Sequence, residues 1–310
     1  MLRSSKAACA LHAMLTLSTL GACANEIDSP SPVDDQSAEL SGVRDLSRGE
    51  RRTLVDNVVA AENQLFTSTG RLFVSGDEGV FEVSKQGSSY SARKLSTTVK
   101  CQFGGLTEYA GTLFANCYDG TDSKVLGAKL TEAPQLQPIR ALPGVGLANG
   151  LTNDGKGNLY VASTFDGTIL RLQLDPADPL TVRAQDTYLP NAGLFSNGLK
   201  FHAGKLYWTA FTTVKAVDIG ADGKPGPLKE LGGAFTFFDD LYVDDGGILL
   251  DDYLGGKVLA FDSKIQFLNA TPNSTFNGPS SVQPAQGRLG LSSNAIIVTE
   301  RGANRVSVFE

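Results

Sequence analysis

Histidine is almost missing. The 310 residues hold two, His12 and His202, which excludes the multi-histidine sites that zinc and copper favour. Net positive charge is missing as well. The balance is −6, and residues 1–22 carry Arg3, Lys6 and no acid, so the rest is more acidic still. Such a body lacks the basic footprint of a nucleic-acid binder. Charged residues are 19%, too few for a coiled coil. The apolar stretch 7–20 is too short to span a bilayer. Cysteine is limited to four positions, and no histidine lies near Cys101 or Cys117 in sequence, which argues against a catalytic thiol.

The scarce cysteines fit export. Arg3 and Lys6 precede the apolar stretch, which ends in Leu20-Gly21-Ala22-Cys23. That tetrapeptide resembles a bacterial lipobox, with residues 1–22 removed as a signal and Cys23 lipidated. By resemblance to lipoprotein sorting, Ala24 after the cysteine points to the outer membrane, facing the periplasm or the cell surface. The membrane would then be met through the N-terminal lipid only. Residues 23–50 are rich in Ser, Pro, Asp and Glu and read as a tether. Cys101 and Cys117 remain as an even pair in an oxidising compartment, nearly opposite each other across a hairpin turning at Tyr109-Ala110-Gly111. They are expected to form a disulfide.

What the chain has in abundance is one repeated phrase. A polar turn precedes a Leu or Val anchor, and about six residues later a glycine opens an apolar strand. The anchors are Leu65, Leu106, Leu151, Leu199, Leu241 and Val282, spaced by 41 to 48 residues. Short strands at that period specify an all-β, six-bladed β-propeller over residues 51–310. The last repeat ends at its third strand, Arg305–Phe309. Arg52–Val55 stands where outer strands stand before other blades. One N-terminal strand plus three C-terminal strands should therefore close the ring and remove its open edges. A monomer is expected.

Inner strands of a propeller start at one mouth of the central channel, here called the top. The residues just before four inner-strand anchors are Glu62, Asn149, Asn197 and Asp239. These hard oxygen donors suit Ca²⁺ or another divalent cation. His202 falls at the opposite end, which removes it from a Ser-His-Asp centre at the top. Asp251-Asp252 read as a solvated turn, and Phe237-Phe238 as packing between blades. Phe165, Tyr253 and Arg301 stand on top loops as candidate contacts for a small-molecule substrate.

Asn197-Gly198-Leu199 and Asp239-Asp240-Leu241, with Glu62 and Asn149, resemble the senescence marker protein/gluconolactonase family of six-bladed, calcium-dependent lactonases. The resemblance covers about residues 52–310. It implies a metal held by Glu62, Asn197 and Asp239, with Asn149 on metal or substrate, and Asp239 as catalytic base. Asp240 replaces the usual glycine. Paraoxonases, which are related, carry Asp-Asn there, so Asp240 is a further candidate ligand. The proline common after the blade-1 glutamate is missing, which makes Asn63 a rival to Glu62. The expected activity is hydrolysis of lactone-like esters by an exported lipoprotein. The alternative is a non-catalytic propeller that binds a small ligand, peptide or polysaccharide.

Overall fold

Alternating apolar and polar residues bounded by glycine turns fold as six antiparallel sheets. The structure, a computed structural model, describes residues 45–310. The expected leader and Cys23 lie outside the described residues. From inside to outside, blade 3 runs Ala148–Asn153, Asn158–Ser163, Thr168–Leu174 and Val182–Leu189. Blades 1, 2, 4 and 5 repeat this order, with inner strands Gln64–Phe66, Gln102–Tyr109, Ser196–His202 and Phe238–Asp244. Blade 2 adds a short parallel strand, Ser96–Thr97, at its outer edge.

Blade 6 closes the ring as the sequence leads one to expect. Arg51–Asp56 pairs antiparallel with Arg305–Phe309, which pairs with Ile296–Glu300 and then Pro279–Pro284. The packed body starts a little before residue 51. Leu46, placed in the tether by composition, is 2% exposed and sits among Leu249, Phe276, Ile296 and Phe309. Its N–H donates to Asn269 Oδ1 at 2.9 Å.

Half-buried strands need a second sheet face to cover them. Among the described residues six apolar clusters supply it, each seated between neighbouring blades. Trp208 and Tyr160 fill the cluster between blades 3 and 4. The Cys101–Cys117 disulfide is present, with Cα atoms 5.6 Å apart. It ties the lead-in of blade 2 to its second strand.

Candidate active site

The inner strands do not run in simple register. In blade 3, Ala148 pairs with Ser163 and Leu151 with Val161, so Asn149 and Gly150 together oppose Ala162. Blades 2, 4 and 5 show the same step, at Gly104-Gly105, Asn197-Gly198 and Asp239-Asp240. In blade 1, Glu62 N–H donates to Ser75 O and Ser75 N–H to Asn63 O. Two residues facing one is a β-bulge, which bends the strand and re-aims a side chain. The first bulge residue in blades 3, 4 and 5 is Asn149, Asn197 and Asp239.

Side chains hold the bulges in place. Ser75 Oγ donates to Gly104 O at 2.6 Å. Asn116 Nδ2 donates to Asn149 O at 2.9 Å and Gly150 O at 3.0 Å. Thr209 Oγ1 donates to Asp239 O, and Thr299 Oγ1 to Glu62 O. Asp251 Oδ1 accepts both the Asp239 and the Asp240 N–H, at 3.0 and 2.8 Å. These contacts satisfy backbone groups that the bulge frees from the ladder.

Glu62, Asn149, Asn197 and Asp239 line one cleft of about 330 Å³ at the top mouth, together with Arg301 and Tyr253. All four donors are buried. Asn149 Nδ2 donates to Glu62 Oε1 at 3.4 Å, and Asn197 Nδ2 donates to Asp239 Oδ1. Arg301 Nη1 pairs with Glu62 Oε2 at 2.5 Å, and its Nη2 with Asp77 Oδ1 at 3.2 Å. Burial pushes the Glu62 carboxyl up, against the pull of Arg301. Burial pushes Asp239 well above the usual carboxylate range, and the charges of Glu62, Asp251 and Asp240 add to it. Two carboxylates and two amides line one space; the amides present Nδ2 to the carboxylates here, and turned to present Oδ1 they would complete a donor set that suits a hard divalent cation. Among the described residues no group of three acidic, His or Cys side chains is arranged for a metal, so amide oxygens would have to complete the set.

Several expected residues have other partners. Asp240 points away from the cleft into the channel. Lys200 Nζ bonds both its oxygens, at 2.9 and 3.0 Å, and Asn63 Nδ2 and Ser281 Oγ bond Oδ2. Asn63 is thereby engaged with Asp240 and does not line the cleft. Arg301 is already paired with two carboxylates rather than free for an anion. Phe165 stands on the rim, 56% exposed. Asp251-Asp252 are not a solvated turn but buried strand residues. Burial and the Asp240 charge push the Asp251 carboxyl well up. Phe238 packs between blades as expected, whereas Phe237 lines the cleft. Gln102, Phe103 and Thr164 also line it, and no repeat pattern singled them out. His202 bonds Asp245 Oδ1 where its strand ends, next to the Ala203-Gly204 turn and away from the top cleft.

No protein-family model matches the sequence, and no curated protein matches it. Solved structures do. A gluconolactonase of Xanthomonas campestris superposes with a TM-score of 0.62 at 17% identity, over 86% of this chain and 90% of that one. A luciferin-regenerating enzyme gives 0.62 at 13% identity, over 84% and 94%. The PQQ-bound aldose sugar dehydrogenase of Streptomyces coelicolor gives 0.58 at 13%, over 86% and 99%. The chain shares their fold. The resemblance carried by Asn197-Gly198-Leu199 and Asp239-Asp240-Leu241 thus holds for the gluconolactonase-type propeller architecture. The same architecture carries lactone and sugar-oxidising enzymes, so chemistry must be argued from the cleft.

Proposed function

We propose that the chain is a hydrolase of lactone-type esters working in the top cleft. The observation that carries this reading is the convergence of Glu62, Asn149, Asn197 and Asp239, two buried carboxylates and two amides, beside Arg301 and Tyr253. The fold shared with a gluconolactonase supports it. Glu62, Asn149, Asn197 and Asp239 would hold a divalent cation, Ca²⁺ in the first instance. When bound, the cation supplies Lewis-acid polarisation of the ester carbonyl.

The chain's own groups do the rest. Asp239 is fixed through its backbone by Asp251 and Thr209, and its carboxylate can take a proton from a water held in the cleft. Water oxygen bonds to the carbonyl carbon while its proton passes to an Asp239 oxygen. The ring C–O bond then breaks, and the leaving alkoxide takes that proton, giving a hydroxy acid. Asn149 and Tyr253 line the same space and can orient the carbonyl. Lipidation at Cys23 would place this chemistry in the bacterial envelope, and the Cys101–Cys117 disulfide is consistent with export.

The test is a panel of lactones and aryl esters with calcium, with other divalent cations and with chelator. Turnover is expected with the cation and not with chelator. Asp239→Asn should lower kcat by at least about a thousandfold while the melting temperature stays within a few degrees. If nothing on the panel is hydrolysed under any cation, the hydrolase reading fails and a ligand-binding propeller remains.

A further inference from the structure

Exposed large apolar side chains gather on one face, apart from Leu228, Phe267 and Leu268 at outer strands. Among the described residues, Phe165, Leu194, Phe195, Phe211, Phe235 and Leu254 all stand on top loops of blades 3 to 5, at 43% exposure or more. Four rings form a continuous line. Phe195 and Phe211 have centroids 5.4 Å apart, Phe211 and Phe237 5.7 Å, and Phe237 and Tyr253 5.8 Å. The inner end of the line, Phe237 and Tyr253, is wall of the cleft that holds Asp239.

The arc is built into the backbone. Phe195 and Phe211 adopt left-handed conformations, φ 59° and 57°, which a bulky residue resists. Phe211 N–H donates to Phe195 O, Phe238 N–H to Phe211 O, and Tyr253 N–H to Phe237 O. Half-exposed rings on a disfavoured backbone return little to folding, and such features cluster at ligand sites. A polyhydroxylated sugar lactone needs polar partners along its flank, because burying hydroxyls without them is costly. This flank offers ring faces instead.

We propose that the arc Phe237–Phe211–Phe195 binds an apolar substituent of the substrate, so that the chain selects alkyl- or aryl-substituted lactones over sugar lactones. This rests on the hydrolase reading for the word substrate, but the arc can be tested by binding alone. The probes are γ-lactams with 5-alkyl chains of increasing length, which resist hydrolysis, and gluconolactam, titrated calorimetrically into the whole chain with calcium. Affinity should rise by up to about fourfold per methylene and then level off, with gluconolactam weaker than the long-chain lactams.

Phe211→Asn and Phe195→Asn remove rings at half-exposed positions, and Asn tolerates the left-handed backbone. Both should keep the melting temperature, keep turnover of unsubstituted γ-butyrolactone, and flatten the chain-length dependence. Affinity independent of chain length in wild type, or tightest for gluconolactam, overturns the proposal. So does an unchanged chain-length dependence in both variants. If Phe211→Asn alters binding of the Cys23→Ser chain to phosphatidylglycerol vesicles but leaves the lactam series unmoved, the face meets lipid and the proposal also falls. Chain-length-dependent binding without any lactone hydrolysis would sink the hydrolase reading and leave the arc standing. Hydrolysis that favours gluconolactone would do the reverse.

Discussion

Glu62 and Asp239 bring two carboxylates into one buried cleft, and Arg301 bonds the first of them. A guanidinium and a divalent cation both seek that carboxylate and repel each other. Arg301→Gln should therefore tighten calcium binding by roughly tenfold or more, read by titration calorimetry. The same variant should melt lower than wild type with chelator present, because Glu62 then stays buried without its partner. Calcium should restore most of the loss. Calcium affinity that is unchanged or weaker in Arg301→Gln would mean that no cation sits beside Glu62. Asp240 tests a different claim. Its carboxylate is committed to Lys200, Asn63 and Ser281. Asp240→Asn should cost about 2–4 kcal/mol in urea unfolding and leave both calcium affinity and kcat within about fivefold of wild type. A hundredfold loss of calcium affinity would instead make Asp240 a ligand, as in the Asp-Asn arrangement the sequence brings to mind.

At the scale of the strand, the bulge is the device that makes the site. Gly198 follows Asn197 because the next inner strand crowds it: a Cβ there would lie 2.2 Å from Asp240 Oδ1. Gly150 meets Asn197 O in the same way, at 2.0 Å. The anchors and their period were legible because apolar burial repeats with each blade. The bulge was not, since Asn-Gly in a sequence reads equally as turn chemistry. Asn149, Asn197 and Asp239 were legible as a set through a shared offset of two residues from their anchors, whereas Glu62 stands three before Leu65 and was legible only through the family resemblance. The Arg301–Glu62 and Lys200–Asp240 pairs were beyond reach, because each joins neighbouring blades through residues at unmatched positions of the repeat, which leave no periodic signal. Asp251-Asp252 misled because paired aspartates are common in turns; here one of them holds two bulge amides. The hairpin of blade 2 gives a separate check. Its disulfide closes a loop of sequence separation 16, for which loop entropy predicts a contribution of about 3 kcal/mol. Cys101→Ser with Cys117→Ser should shift the urea midpoint accordingly and leave kcat unchanged, since neither sulfur is among the groups lining the cleft.

For the whole molecule the question is what keeps the ring shut. Closure rests on blade 6, where strands from both ends of the propeller meet, and Glu300 sits at its centre. Arg305 Nε and Nη2 bond its two oxygens at 2.8 and 2.7 Å. Ser307 Oγ and the Asn277 N–H donate to it as well, and Arg51 of the N-terminal strand reaches it at 3.5 Å. Burial pushes the Glu300 carboxyl up, but the bonds from Arg305, Ser307 and Asn277 outweigh it and hold the group below its ordinary 4.5. A carboxyl depressed in the folded state stabilises the fold above its unfolded pKa, and that contribution is lost as pH falls through the folded value. Wild type minus Glu300→Gln should therefore show a stability difference that is constant from pH 7 to about 5 and shrinks below about 4.5. At neutral pH the difference should be about 3 kcal/mol. The variant should also lose its N-terminal clasp first: amides of Arg51–Asp56 should exchange with solvent faster than those of the inner strands. A pH-independent difference, or faster exchange spread evenly over all six blades, would show that Glu300 is only a packing residue and that the ring closes without it.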